Sequence, residues 1–182
     1  MTKLFIDCCV RGEKSATRRY AEAWMRKNNV KPEILRLSEL ELRPYLASDI
    51  EKRDALLAAG RTDDEMFAFA RRFREADEII IAAPYWDLSF PSLLKVYFEK
   101  VSVCGITFVY EGTRSVGCCK AECVRYFSTC GGFTGSFHHG VEYTRALCGM
   151  FGINKVIPYT IEGMDIDWSK REELLDKAIF EL

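Results

Sequence analysis

Residues 78–84 read EIIIAAP, three branched apolar side chains in succession followed by two alanines and a proline. A strand with one wet face alternates apolar and polar residues, so an unbroken apolar run belongs to a sheet covered on both sides. The same dense pattern recurs at 4–8 (LFIDC), at 123–127 (CVRYF) and from Val156-Ile157, while 34–37 (ILRL) reads as a more exposed strand. Between the runs the apolar spacing becomes helical. Residues 15–27 predict a helix, and 56–73 contain a charged helical segment with Met66, Phe67, Ala70 and Phe73 on one face. Residues 91–101 predict a helix opened by proline, with Leu94, Tyr97, Phe98 and Val101 at helical spacing. Further helices are predicted over 138–150, ending near Gly152, and over 170–181. Five strands alternating with helices predict an α/β chain: an open five-stranded parallel sheet with helices on both faces.

The chain has 182 residues, enough for one domain spanning 1–182 with a substantial core. Lys and Arg number 26 against 27 Asp and Glu, a balance that asks for neither nucleic acid nor an anionic membrane. The apolar start at 4–6 is too short for a signal peptide or a span, which makes the cytoplasm the expected location. The eight cysteines (Cys8, Cys9, Cys104, Cys118, Cys119, Cys123, Cys130 and Cys148) then read as reduced thiols, several as small hydrophobes in apolar patterns. Cys118-Cys119-x3-Cys123 lacks the spacing of a metal knuckle, so no metal is expected.

In an open parallel sheet, ligands bind beyond the carboxyl ends of the strands near the point where strand order reverses. That rule selects three loops: 8–17, 84–91 and 128–135. The first ends in Ser15, Ala16 and Thr17 at a predicted helix N-terminus, where free amides and the helix dipole favour an anion and Arg11 adds charge. Ser15 would serve equally well as a simple helix cap. Neither G-x-G-x-x-G nor G-x4-G-K-[ST] occurs, which argues against a Rossmann dinucleotide or a Walker triphosphate. The third loop, STCGGF, permits close backbone approach at Gly131 and Gly132. The middle loop, PYWDLSFP, offers aromatic surface and backbone amides for the edge of a flat ring; alternatively it is a hydrophobic cap on the next helix. An anion end, a backbone wall and a broad planar face together describe flavin mononucleotide (FMN).

Four stretches carry a family resemblance in order along nearly the whole chain: PYWDLSFPSLLKVYFEKV at 84–101, GITFVY at 105–110, STCGG at 128–132 and YTRALCGMFGI at 143–153. The sequence resembles the flavodoxin-like, FMN-dependent NAD(P)H:quinone oxidoreductases, and most closely the FMN-dependent NADH azoreductases. The resemblance implies a flavodoxin-like fold and a homodimer with the active site between subunits. By position, it puts the FMN phosphate on Cys9, Ser15, Ala16 and Thr17, and the ring on Pro84, Tyr85, Trp86, Asp87 and Leu88. It puts the pyrimidine and ribityl side against Thr129, Cys130, Gly131 and Gly132. Cys9 stands where the family usually has Ser, Cys130 where Arg is frequent, and Asp87 where it has Asn. An anionic Asp87 would oppose charge on a reduced ring, whereas a protonated one would donate a hydrogen bond.

The activity this implies is hydride transfer from NADH or NADPH through bound flavin to a quinone, azo or nitro compound. The cofactor carries the chemistry, and the protein orients and tunes it. No side chain is a required catalytic group; Asp87, His138 and His139 are the candidates. A histidine reaching the cleft would protonate a reduced quinone, while the plainer reading is a pair near a helix N-terminus, one inward and one solvated. The alternative function is a flavin-binding electron carrier or redox-responsive protein with little NAD(P)H turnover. Carriers are usually acidic, and this chain has a formal charge of −1. An iron–sulfur flavoprotein is disfavoured because the compact C-x2-C-x2-C signature is missing.

Overall fold

The computed structural model describes residues 1–135 and 137–182. In chain order its elements are β1 (Lys3–Asp7), α1 (Ala16–Lys27), β2 (Glu33–Arg36), α2 (Ala47–Ala58), α3 (Ala68–Glu75), β3 (Glu78–Ala82), α4 (Ser92–Val101), β4 (Phe108–Glu111), β5 (Arg114–Gly117), β6 (Cys123–Thr129), α5 (His139–Met150), β7 (Val156–Ile161) and α6 (Arg171–Phe180). The five predicted strands form one sheet in the order β2-β1-β3-β6-β7, every neighbouring pair parallel. The chain runs outward from β1 to β2, then crosses back to β3. The order therefore reverses between β1 and β3, and the crevice at their carboxyl ends is the ligand position for such a sheet.

Strand periodicity explains why β3 carries no polar position in its centre. Alternate residues point to opposite faces. Leu4, Ile6, Ile79, Ile81, Val124 and Tyr126 enter the core against Leu94, Tyr97 and Phe98 of α4 and Cys148 of α5. Phe5, Ile80, Ala82 and Phe127 enter the opposite core against Tyr20 and Trp24 of α1 and Leu175 of α6. On that second face Phe127 stacks on Tyr159 at 4.4 Å and meets the Tyr20 ring edge-on at 5.3 Å. Both faces of β1 and β3, two inner strands of the sheet, are dry.

Two features lie outside the sequence expectation. Residues 56–73 contain the expected helical segment, α3 with a short 3₁₀ turn at Glu65–Phe67 before it, but they begin in the last turn of a separate helix, α2, which ends at Ala58 ahead of Gly60 (φ 68°). A glycine in the left-handed region is a common helix stop. The remainder of α2 went unread because none of its residues is fully buried. The second feature is an antiparallel hairpin, β4–β5, turning at Gly112 (φ 63°). It leans on the end of α5, where a Cβ on Gly117 would overlap the backbone of Phe151 and Gly152. The strand β6 also runs on to Thr129, so Ser128 and Thr129 belong to the sheet edge rather than to a loop.

Candidate functional site

The carboxyl ends of β1, β3 and β6 open into a cleft enclosing about 550 Å³ of empty space, open solvent at its mouth included. From the first loop it is lined by Cys9, Arg11, Ser15, Ala16 and Thr17; from the middle loop by Pro84, Tyr85 and Trp86; from the third by Thr129, Cys130 and Gly131. Asp87, Leu88 and Gly132 stand outside this lining and are exposed. Val10, Lys14, Met164, Asp165 and Arg171 complete the wall, and sequence reasoning named none of them.

The floor of the first loop is an ion pair. Arg18 Nη2 lies 2.6 Å from Asp7 Oδ2, with the two side chains 5% and 1% exposed. Burial opposes the charge on Arg18, but the carboxylates of Asp7 and Glu13 more than offset it and hold its pKa up. Nη2 also donates to the Cys9 carbonyl at 3.4 Å. Asp7 further accepts from the Cys9 amide at 2.9 Å, which ties the loop to the end of β1. Ser15 caps α1 by accepting from the Arg18 amide at 3.3 Å. Ala16 and Thr17 follow, and their amides have no helical carbonyl within reach. The Cys9 thiol does not face an anion as a donor: it is buried, donates to the Ala82 carbonyl at 3.5 Å, and burial pushes its pKa up. Cys9 therefore supplies wall, because the Cys side chain packs better against the sheet than toward water.

Thr17 Oγ1 and Thr129 Oγ1 are 2.7 Å apart, joining the first loop to the end of β6. Beyond it, Cys130 donates its amide to Ile161 O at 2.7 Å, and its thiol, also buried, is pushed up to about 12. The Asp165 amide donates to the Gly131 carbonyl at 2.9 Å. A Cβ on residue 131 would collide with the Asp165 carboxylate. A side chain at 131 would therefore have to displace that carboxylate, which adds to the backbone-approach reading. The amides of Gly131 and Gly132 donate to no described protein group.

The middle loop is a miniature hairpin. Trp86 and Ser89 exchange both backbone hydrogen bonds, at 3.2 and 2.8 Å, around Asp87 (φ 49°) and Leu88 (φ 65°). Two successive positive φ angles define the I′ hairpin turn, whose second position favours Gly or Asn. Leu88 occupies it nonetheless and stands 66% exposed. Tyr85 is pinned by its amide to the Thr129 carbonyl at 3.0 Å and meets the His138 ring edge-on at 4.5 Å. His138 caps α5: its Nδ1 accepts from the Val141 amide at 3.2 Å, and its Nε2 is buried with no partner among the described residues. Burial lowers its pKa, so the neutral form prevails. His139 is exposed, stacked on Phe137 and 3.4 Å from Glu142. No group of His, Cys, Asp and Glu among the described residues could hold a metal ion.

Fold and cleft together define a doubly wound sheet with an anion-ready helix end beside an aromatic lip. The chain belongs to the flavodoxin-like fold family, whose sequence profile matches residues 1–182. It is 32% identical over 184 residues to an FMN-dependent NADH:quinone oxidoreductase of Clostridium perfringens, covering 97% of this chain and 93% of that one. The Trichlorobacter lovleyi protein of the same name is 34% identical over 78% of this chain and 67% of its own. Among solved structures, an azoreductase from Bacillus anthracis str. Sterne superposes with a TM-score of 0.83 at 24% identity, covering 100% of this chain and 96% of that one. An FMN-dependent NADH-azoreductase from Bacillus anthracis str. Ames Ancestor, solved in complex with FMN, gives 0.82 at 19% identity over 100% and 95%. At such identities the superpositions speak for the fold.

Proposed function

We propose that this chain is an FMN-dependent NADH:quinone oxidoreductase that also accepts azo and nitro compounds. The observation that carries the reading is the cleft itself, which joins the open N-terminus of α1 to an open aromatic lip at the reversal point of the sheet. Its residues fit FMN end to end. Ser15, Ala16 and Thr17 present hydroxyls and first-turn amides to the phosphate. Thr129 and Gly131 form a wall with little side chain in the way of the ribityl chain. Pro84, Tyr85 and Trp86 back the ring, Asp87 and Leu88 stand beyond the lining at its rim, and the free amide of Gly131, with that of Gly132 just outside, meets its edge. When bound, FMN supplies the chemistry, taking hydride from NADH and delivering it to the acceptor. The protein binds and orients; amides aimed at the ring edge favour negative charge there. His138, neutral and engaged as a cap, and His139, solvated, hold no bond-making role in this reading.

The reading extends to assembly and location. Residues 1–182 act as one flavin-binding unit, and a second copy closes the lip to form an interfacial site. Supporting this, the apolar side chains of Trp86 and Leu88 in the lip, and of Phe133 and Phe137 after the glycine pair, are exposed and would be covered by such a copy. The cytoplasm is the proposed location, in keeping with eight free cysteines. No helix among the described residues is long and apolar enough to cross a membrane.

The test is direct. Protein soaked in FMN and desalted is expected to retain a yellow chromophore, to bleach on adding NADH, and to recover on adding a benzoquinone. Retained flavin that NADH does not bleach supports the electron-carrier alternative, and protein that retains none overturns the flavin reading.

A further inference from the structure

The first turns of α1 and α6 are bound together. Arg19 donates to both carboxylate oxygens of Glu172, at 3.0 and 2.8 Å. That clasp sets the adjacent Arg171 over the same cleft as the amides of Ala16 and Thr17. The cleft has other cations, Arg11 and Lys14, but both are exposed and neither has a carboxylate partner among the described residues. Arg171 differs. Its side chain is 23% exposed, its Nη1 donates to Asp165 Oδ1 at 3.1 Å, and its guanidinium lies 5.0 Å from the Trp168 ring centroid. Asp165 is placed in turn by its backbone, its amide on the Gly131 carbonyl, and its half-exposed carboxylate occupies the space that a side chain at 131 would fill. The remaining guanidinium donors, Nη2 and Nε, bond to no described group.

We propose that Arg171 is the phosphate-selecting residue of the flavin site, donating to the phosphate monoester held at the α1 N-terminus while Asp165 and Trp168 hold its side chain in position. The inference rests on the flavin reading above. A guanidinium matches two phosphate oxygens with a planar fork, and charge-assisted bonds of this kind are about twice as strong as neutral ones. A fixed side chain loses less freedom on binding than Arg11 or Lys14, which must be ordered from solvent. The consequence is selectivity for phosphorylated flavin. Riboflavin, the same ring and chain without the phosphate, gains nothing from Arg171.

The experiment titrates apoprotein with FMN and, separately, with riboflavin, following quenching of flavin fluorescence. Arg171→Met is expected to weaken FMN binding roughly 10- to 100-fold and to leave riboflavin binding unchanged. Arg171→Lys restores part of the FMN preference, because a point charge replaces the fork. Arg11→Met costs less than Arg171→Met. Wild-type FMN affinity falls as salt is raised, and in Arg171→Met it falls less steeply. Gly131→Ala, which displaces Asp165, lowers FMN preference in the same direction. Equal weakening of both flavins in Arg171→Met and Arg171→Lys would show a purely structural residue and overturn the proposal. Unchanged FMN binding in both variants overturns it as well. Wild-type protein that binds neither flavin defeats the parent reading itself, a separate and recognisable result.

Discussion

The two ends of the cleft are built on opposite principles. At the α1 end, the supporting groups are buried and paired: Asp7 with Arg18, Ser15 as cap, Thr17 against Thr129. At the lip, Trp86 and Leu88 are exposed, and Asp87 and Leu88 hold positive φ in a two-residue turn. An anion gains most from donors that are already fixed, because a fixed site loses little freedom on binding. A flat ring that must admit successive partners needs a surface that remains open. The difference teaches where stability and strain are placed: stability lies under the α1 end, strain at the lip.

The sharpest way to break the comparison is to cut the ion pair. Arg18→Met leaves Asp7 charged and buried without its partner, and such a change costs about 3–5 kcal/mol of stability. Urea unfolding followed by circular dichroism checks it. The double variant Asp7→Leu/Arg18→Met is expected to recover most of the loss, since replacing both partners with apolar groups is often neutral. Recovery would show that the pair is kept for shaping the loop rather than for net stability. Ser15→Ala is expected to cost about 1 kcal/mol through loss of the cap. It also weakens FMN binding, measured by the same fluorescence titration.

At the lip the sign reverses. A leucine in the left-handed region is strained by about 1–2 kcal/mol, and Leu88 is exposed, so little packing offsets it. Leu88→Asn is expected to raise stability by about 0.5–1 kcal/mol, read as an upward shift of the thermal midpoint. A loss of stability instead would mean that the Leu88 side chain is covered in the assembled protein, which analytical ultracentrifugation at the same concentration would reveal.

How much of this was legible in the sequence follows from how local each cause is. The strands β1, β3 and β6 announced themselves because both their faces are buried, and dense apolar runs have few other uses. Ser15, Ala16 and Thr17 were legible because capping chemistry lies within three residues. The helix α2 hid because none of its residues is fully buried, and the half-buried Ile50, Leu56 and Leu57 make only a weak stripe to read. Asp165 and Arg171 hid for a different reason: they follow β7, and only the parallel pairing of Thr129 with Ile161 carries that segment to the end of β6. The one signal available was topological, since every loop after a strand carboxyl end opens on the same edge. Cys9 lines the cleft, but whether a thiol turns to the cleft or to the sheet is decided by packing. Leu88 was invisible as a strained residue because nothing about a leucine advertises positive φ.

The smallest expected effect concerns pH and belongs to the lip, through His138 beneath Tyr85. The cap on α5 requires an unprotonated Nδ1, and burial lowers the pKa of this side chain in the folded protein. The unfolded chain therefore takes up the proton first as pH falls below about 6.5, the ordinary histidine value. The stability contributed by neutral His138 is fully present above that pH, is lost as pH falls through it, and stops declining below the folded pKa. Buried carboxylates add their own acid sensitivity, so the wild-type profile alone does not isolate the histidine. His138→Asn does, because asparagine caps a helix as well and does not titrate. Unfolding midpoints in urea at about pH 7.5 and about pH 5.5 are expected to differ less in His138→Asn than in wild type, while FMN binding at the α1 end responds equally in both. A histidine-dependent change in FMN affinity over the same range would couple the two ends and dissolve the separation drawn between them.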